Sequence, residues 1–263
     1  MSIDMLDRDH LVANIFLRAA LPLTKVMAEE KPFYKKFFPK QGVLQFSVKG
    51  DPEVGATMLF EEGELDVKPG VHPEPDLNVE FKNVVDLNKF FAGGMALPKM
   101  KGILSIHLLV RVLPLLLGLK ILLPTNIPSD PEKKALKVKL LLYMVTNALS
   151  QLNKGGDEGM CKLTKNSPDR IFQWTVENGG PCAYLRIKNG KSKAGRGTYT
   201  RRRPFVHMIF PTIDGAFKVL TSQAPLVDAV KLGYVKTEGA MEYSKEIGLH
   251  MQRIEEMTSA YGK

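Results

Sequence analysis

The chain has 263 residues, 44% apolar and 25% charged, an ordinary globular composition with room for one or two domains. Two cysteines without metal-type spacing exclude a disulfide-dense scaffold and a zinc module, and the formal net charge of +9 points toward anionic partners. The start, Met1–Asp7, is acidic and lacks a secretory apolar run, so the expectation is a cytoplasmic protein with reduced thiols.

In chain order, the first predicted element is an amphipathic helix: Leu11, Ile15, Phe16, Ala19, Leu23 and Met27 recur at helical spacing, with Pro22 as a candidate kink. Val43–Val48 alternates apolar with polar and predicts a strand. The turn formers Lys49-Gly50-Asp51-Pro52 lead to a second strand, Val54–Phe60, which ends at Glu61-Glu62-Gly63. A third strand is predicted at Leu77–Phe81, followed by a short helix with Asp86 as its N-cap. The segment 103–123 is almost continuously apolar and has the length of a bilayer span. Arg111 near its midpoint, at a cost of about 2.5–3.5 kcal/mol, and Pro114 argue against spanning, so it reads as buried core or cavity wall, with an element that touches a membrane surface as the alternative.

From Ser129 the series begins again. Ser129-Asp130-Pro131-Glu132 is a helix start, Leu136, Leu140, Tyr143, Met144, Ala148 and Leu152 continue the helix, and Gly155-Gly156 stops it. Ile171–Val176 repeats Val43–Val48 position for position: apolar, apolar, Gln, aromatic, hydroxyl, Val, at an offset of 128. Cys182–Ile187 answers the second strand, Phe205–Phe210 the third, and Asp214 the cap at Asp86. A period this long is a whole domain rather than a solenoid unit. It predicts two domains, 1–128 and 129–263. The element order gives the fold class as α+β, two tandem domains each with a mostly antiparallel sheet covered by helices on one face.

The copies differ in charge. Residues 1–125 carry 15 basic and 15 acidic side chains, net zero; residues 126–263 carry 22 and 13, so the whole excess of +9 lies in the second copy. Eight of the 18 residues from Arg186 to Arg203 are Lys or Arg, with Tyr184 and Tyr199 nearby. This reads as a solvated hairpin or as a phosphate-binding face. The matching stretch of the first copy is acidic (Glu61, Glu62, Glu64, Asp66, Glu74 and Asp76), so the two hairpins could also pair, within one chain or across a homodimer. No helix-turn-helix or RNA-binding pattern occurs, and nucleic acid is not an expected partner.

Catalytic patterns are weak. His10, His72, His107, His207 and His250 are scattered, and Gly190-Lys191-Ser192 has Leu185 where a phosphate loop requires glycine. There is no Gly-x-Ser-x-Gly elbow. The sequence nominates no catalytic residue, no metal ligand and no cofactor, so the chain reads as not an enzyme.

Pro75–Phe81, Asp86-Leu87, Phe90–Gly94 and Lys99–Gly102 together resemble the sterol carrier protein type 2 (SCP2) family. In the second copy, Val230–Gly239 is similar to that family's last strand between two glycines, followed by a terminal helix with Tyr243, Ile247, Met251 and Ile254. The resemblance covers roughly 40–125 and 170–258. Leu108 stands at the second glycine of the first copy, Asp76 aligns with Pro204, and the end Tyr261-Gly262-Lys263 is not the peroxisomal address. The resemblance implies two tandem layered domains, each with an apolar tunnel for a sterol, fatty acid, acyl-CoA or phospholipid, without catalytic machinery. For that tunnel the expected lining is Leu104, Ile106, Leu109, Val112, Leu113, Leu116, Phe81 and Phe90, with Phe210, Phe217, Leu220, Met241 and Ile247 in the second copy. Arg186, Lys188, Lys191, Lys193, Arg196, Arg201, Arg202 and Arg203 are expected to meet an anionic headgroup or membrane. The competing readings are an interaction module or auxiliary subunit with collapsed cavities, and a component of a lipid-metabolising enzyme.

Overall fold

A computed structural model describes residues 5–224 and 226–262. The chain forms two compact units, one running to Leu123 and including Met257 onward, the other Pro124–Glu256. The division therefore falls at 123/124 rather than 128/129, and the last residues belong to the first unit. The connecting segment opens with a turn at Pro124-Thr125, and Lys137 Nζ donates to the Asn126 carbonyl at 2.5 Å, a contact within the second unit.

In the first unit, α1 (Met5–Ile15) runs into a π turn, Phe16–Ala20, and then α2 (Leu23–Glu30). Pro22 has no N–H to return to the chain before it. The π turn absorbs the fault, with the Leu21 N–H donated to Phe16 O at 2.8 Å. Arg8–Glu30 is long and apolar enough to cross a bilayer, yet 78% of its most apolar stretch is buried within the protein. After a 3₁₀ segment, Pro32–Phe37, come β1 (Gln41–Val48), β2 (Asp51–Glu61), β3 (Glu64–Pro69), β4 (Leu77–Phe81), α3 (Val84–Phe91), β5 (Lys99–Lys101) and α4 (Ile106–Gly118). The sheet order is β3-β2-β1-β4-β5, antiparallel except for the β1–β4 pair. Leu44, Phe46 and Val48 alternate on one face with Ala56, Met58, Val79 and Phe81 beside them, all buried. α1, α2 and α4 pack on the sheet.

The second unit repeats this plan. α5 (Pro131–Lys154) is capped by Asp130, whose Oδ1 accepts the Lys133 N–H at 2.8 Å. Then follow α6 (Glu158–Lys165), β6 (Arg170–Val176), β7 (Cys182–Lys188), β8 (Lys191–Arg196), β9 (Val206–Phe210), α7 (Ile213–Leu220), α8 (Leu226–Lys231), β10 (Lys236–Gly239) and α9 (Met241–Ser259). The order β8-β7-β6-β9-β10 matches the first sheet strand for strand, including the parallel β6–β9 pair. Both units are thus α+β, and each contains a mostly antiparallel five-stranded sheet. Cys161 and Cys182 are free thiols.

Strand register corrects the sequence alignment. Phe46 pairs with Ala56 and Val79, and Trp174 pairs with Ala183 and Met208, so the third strands are offset by 129, not 128. The helix caps follow the same shift. Asn83 Oδ1 accepts the Asp86 N–H at 2.8 Å and Thr212 Oγ1 accepts the Gly215 N–H at 3.0 Å, so Asn83 and Thr212 are the N-caps. Asp86 and Asp214 lie in the first turn, where a carboxylate meets the positive end of the helix. Asp76 is accordingly equivalent to Phe205, not to Pro204.

The glycine assignment changes too. A Cβ on Gly102 would fall 2.1 Å from Asp76 O, and one on Gly239 2.1 Å from Phe205 O, with φ of +87° and +89°. These two glycines are the matched pair, offset by 137, and Leu108 occupies no glycine position. The eight extra residues of the second copy accommodate α8, so Val230 and Lys231 are helical rather than part of the last strand.

Candidate functional site

The inner face of the first sheet gathers five phenylalanines from the π turn, β1, β4 and α3. Phe46 lies 5.4 Å from Phe91 and 6.4 Å from Phe90, Phe81 lies 5.3 Å from Phe90, and Phe16 lies 6.0 Å from Phe91. Phe46, Phe81 and Phe16 are buried, whereas Phe90 and Phe91 are half-buried. The cluster has a closed floor and a rim that water reaches. From α4, Val112 is buried, and Ile106, Leu109 and Leu116 are half-buried. Gly42 makes room for this helix, since a Cβ there would meet Leu108 Cδ2 at 2.8 Å.

Two predicted lining residues of this copy lie elsewhere. Leu104, in the 3₁₀ turn before α4, is 93% exposed, and Leu113 is 43% exposed because only the Leu108–Val112–Leu115 stripe of α4 faces inward. In the second unit, Phe210, Phe217, Leu220 and Ile247 are buried, while Met241, at the exposed first turn of α9, is 62% exposed and lines no interior. Among the described residues Trp174 Nε1, equivalent in position to the Phe46 ring, is a buried donor without a hydrogen-bond partner.

Beside the phenylalanine rim the chain end is tied down. The Tyr261 hydroxyl donates to the Asp9 carboxylate, and Asn88 Nδ2 donates to Asp9 O at 2.9 Å. Burial, with the Asp9 hydrogen bond and charge, pushes the Tyr261 phenol up to about 12. Gly94 faces Tyr261 O and Gly262 faces Ala92 O. Nothing local in sequence signals this contact, which joins residues 252 positions apart.

The second unit buries charge as well. Lys137 is fully buried, its Nζ 5.7 Å from the Phe217 ring centre, and burial lowers its amine to about 8 despite the opposing charge of Glu255. Asp157 caps α6 through Met160 N at 3.0 Å and faces Arg253 at 2.6 Å. Neighbouring His250 is driven below its ordinary range by burial. His207, also lowered by burial, has Nε2 2.9 Å from Thr175 Oγ1. These histidines have structural surroundings.

The basic hairpin, β7 and β8 with the loop to β9, separates into two groups. Arg186 binds Asp169 through Nε and Nη2 at 2.7 and 2.6 Å, which holds that carboxyl below the usual range. Arg202 reaches the same carboxylate at 3.7 Å, and Arg196 lies 5.4 Å from the Tyr143 ring centre. Lys188, Lys191, Lys193, Arg201 and Arg203 are exposed. The loop is held by the repeated glutamine: Gln173 Oε1 accepts the Tyr199 N–H at 2.9 Å, as Gln45 Oε1 accepts the His72 N–H at 2.5 Å in the first unit. That shared tether gives the glutamine of the sequence repeat its physical role.

No family model matches the chain, and no curated protein matches it. Among solved structures, the chain is similar to palmitated SCP2L2 from Aedes aegypti, at 15% identity over 41% of this chain and 90% of that one, with a TM-score of 0.29. It is similar to sterol carrier protein 2 from Yarrowia lipolytica in its apo form, at 13% identity over 40% and 92%, TM-score 0.30. The ubiquinone synthesis protein UbiJ-SCP2 matches at 11% identity over 49% and 96%, TM-score 0.31.

Proposed function

We propose that this protein binds an apolar lipid without chemical turnover, and that its first unit holds the ligand. The observation that carries the reading is the five-phenylalanine cluster, closed at Phe46 and Phe81 and open to water at Phe90 and Phe91. Apolar surface of that kind gains roughly 25 cal/mol per Å² when a ligand covers it. The ligand class is a sterol, a fatty acid or the acyl chain of a larger lipid. Exposed Lys188, Lys191, Lys193, Arg201 and Arg203 give the second unit, by itself, a basic surface suited to an anionic partner.

A second reading has its own support in the second unit. There Trp174, Phe210, Phe217, Leu220 and Ile247 are all buried, as in a filled interior. That packing favours a contact module rather than a second binding unit.

Titration with a fluorescent fatty acid tests the proposal. The intact protein is expected to bind it saturably, and Phe90→Ala with Phe91→Ala to weaken binding by roughly tenfold while the thermal unfolding transition persists. Wild-type protein that takes up no probe would sink the reading.

A further inference from the structure

The helix α4 has a second apolar face that the fold does not use. Beneath it, Leu108, Val112 and Leu115 are buried; above, Val110 is 63% exposed, Leu113 43% and Leu117 46%. Spacings of three and four place the outer three residues on one stripe, and exposed Leu104 lies just before the helix. At the other end a Cβ on Gly118 would come within 2.6 Å of the Tyr34 hydroxyl, so the 3₁₀ segment Pro32–Phe37 lies alongside. That segment adds Phe33, 57% exposed, and Phe37, 37% exposed, in edge-to-face contact at 5.2 Å. Single exposed leucines are ordinary on a protein surface, but six large apolar side chains on α4, the turn that leads into it and the adjoining Pro32–Phe37 are not.

Charge identifies what covers this face. The stretches 31–40 and 99–123 together contain eight Lys and Arg and no Asp or Glu. The remainder of residues 1–125 holds seven basic and 15 acidic side chains. Of the eight cations, Lys35 is paired with Glu64 at 2.8 Å and Lys101 with Glu80 at 2.6 Å, so the outer surface rests on the others. Lys36, Arg111 and Lys120 are exposed there. Apolar and aromatic side chains flanked by cations are the composition of an element that lies in a bilayer interface: the apolar groups enter the headgroup–acyl boundary and the cations meet anionic headgroups. From these placements we infer that the outer face of α4 and Pro32–Phe37 docks on an anionic membrane surface. This is separate from the interior phenylalanine cluster and from the basic hairpin of the second unit.

Co-sedimentation of the 263-residue chain with phosphatidylcholine vesicles, with and without phosphatidylglycerol, tests it. Wild-type protein is expected to sediment with the anionic vesicles, more weakly as salt is raised. Val110→Ser with Leu117→Ser, and separately Arg111→Glu with Lys120→Glu, are expected to lower that partitioning by roughly tenfold or more. Both variants are expected to keep the wild-type circular dichroism spectrum and fluorescent fatty acid uptake, which distinguishes failure at this face from failure of the interior site. Three outcomes overturn the inference: no wild-type binding to anionic vesicles, binding unchanged in both variants, or a wild-type dimer that Val110→Ser with Leu117→Ser dissociates, which would assign the face to a second copy.

Discussion

Gly102 and Gly239 show what a single residue can decide. Both place a backbone carbonyl of the neighbouring strand 2.1 Å from where a Cβ would stand, and both have positive φ. Gly102→Ala or Gly239→Ala combines steric overlap with an unfavourable backbone conformation and is expected to cost about 2–4 kcal/mol, measurable by urea denaturation. Lys137 offers a second residue-scale test. Unfolded, its amine keeps its proton to about 10.5; folded, it releases it near 8. Between those values the unfolded chain binds more protons, so this group makes stability rise with pH from about 8 to 10.5. Lys137→Met is expected to flatten that slope and to stabilise the protein at neutral pH by about 1–3 kcal/mol. Parallel denaturation curves at pH 7 and pH 10 read both effects, and a variant with the wild-type pH slope would contradict the assignment. Tyr261 has the opposite sign: its raised phenol keeps the folded form protonated above 10, so its contribution declines as pH climbs toward 12.

At the scale of elements, the repeated glutamine is a tether. Gln45→Ala and Gln173→Ala each remove one acceptor for a loop N–H and are expected to cost about 1 kcal/mol. Hydrogen exchange should accelerate at the His72 and Tyr199 amides respectively, with the strand amides unchanged. The strands carrying these glutamines were legible in the sequence because apolar and polar residues alternate there. The edge strands Glu64–Pro69 and Lys191–Arg196 carry few apolar residues, and such edges are charged to prevent pairing with other chains, so periodicity does not reveal them. The segment 103–123 was legible as apolar but not as two-faced. With only His107 and Arg111 polar between Ile106 and Leu117, apolar residues fall on both the inner and the outer face, so periodicity does not single out the inner one. Leu113 was misplaced for that reason, and Leu104 lies in the turn before the helix. The phenylalanine cluster depended on register: Phe46, Phe81 and Phe90 are separated in sequence and meet only because β1 and β4 run parallel.

At the scale of the whole molecule, two copies of one topology have diverged in their interiors as well as in charge. Phe90 and Phe91 of the first copy correspond to Val219 and Leu220 of the second, so the open aromatic rim belongs to one copy alone. Tyr261 ties the chain end beside that rim through Asp9. Tyr261→Phe keeps the ring and loses the hydrogen bond, and is expected to speed release of bound fatty acid in stopped-flow displacement, with little change in the unfolding midpoint. Native mass spectrometry of the purified 263-residue chain checks whether the first unit holds a lipid. The wild-type protein is expected to show a mass shift of one lipid per chain, with the bound fraction reduced in Phe90→Ala with Phe91→Ala in line with a roughly tenfold weaker affinity. A protein that stays at its bare mass after incubation with excess fatty acid would contradict it.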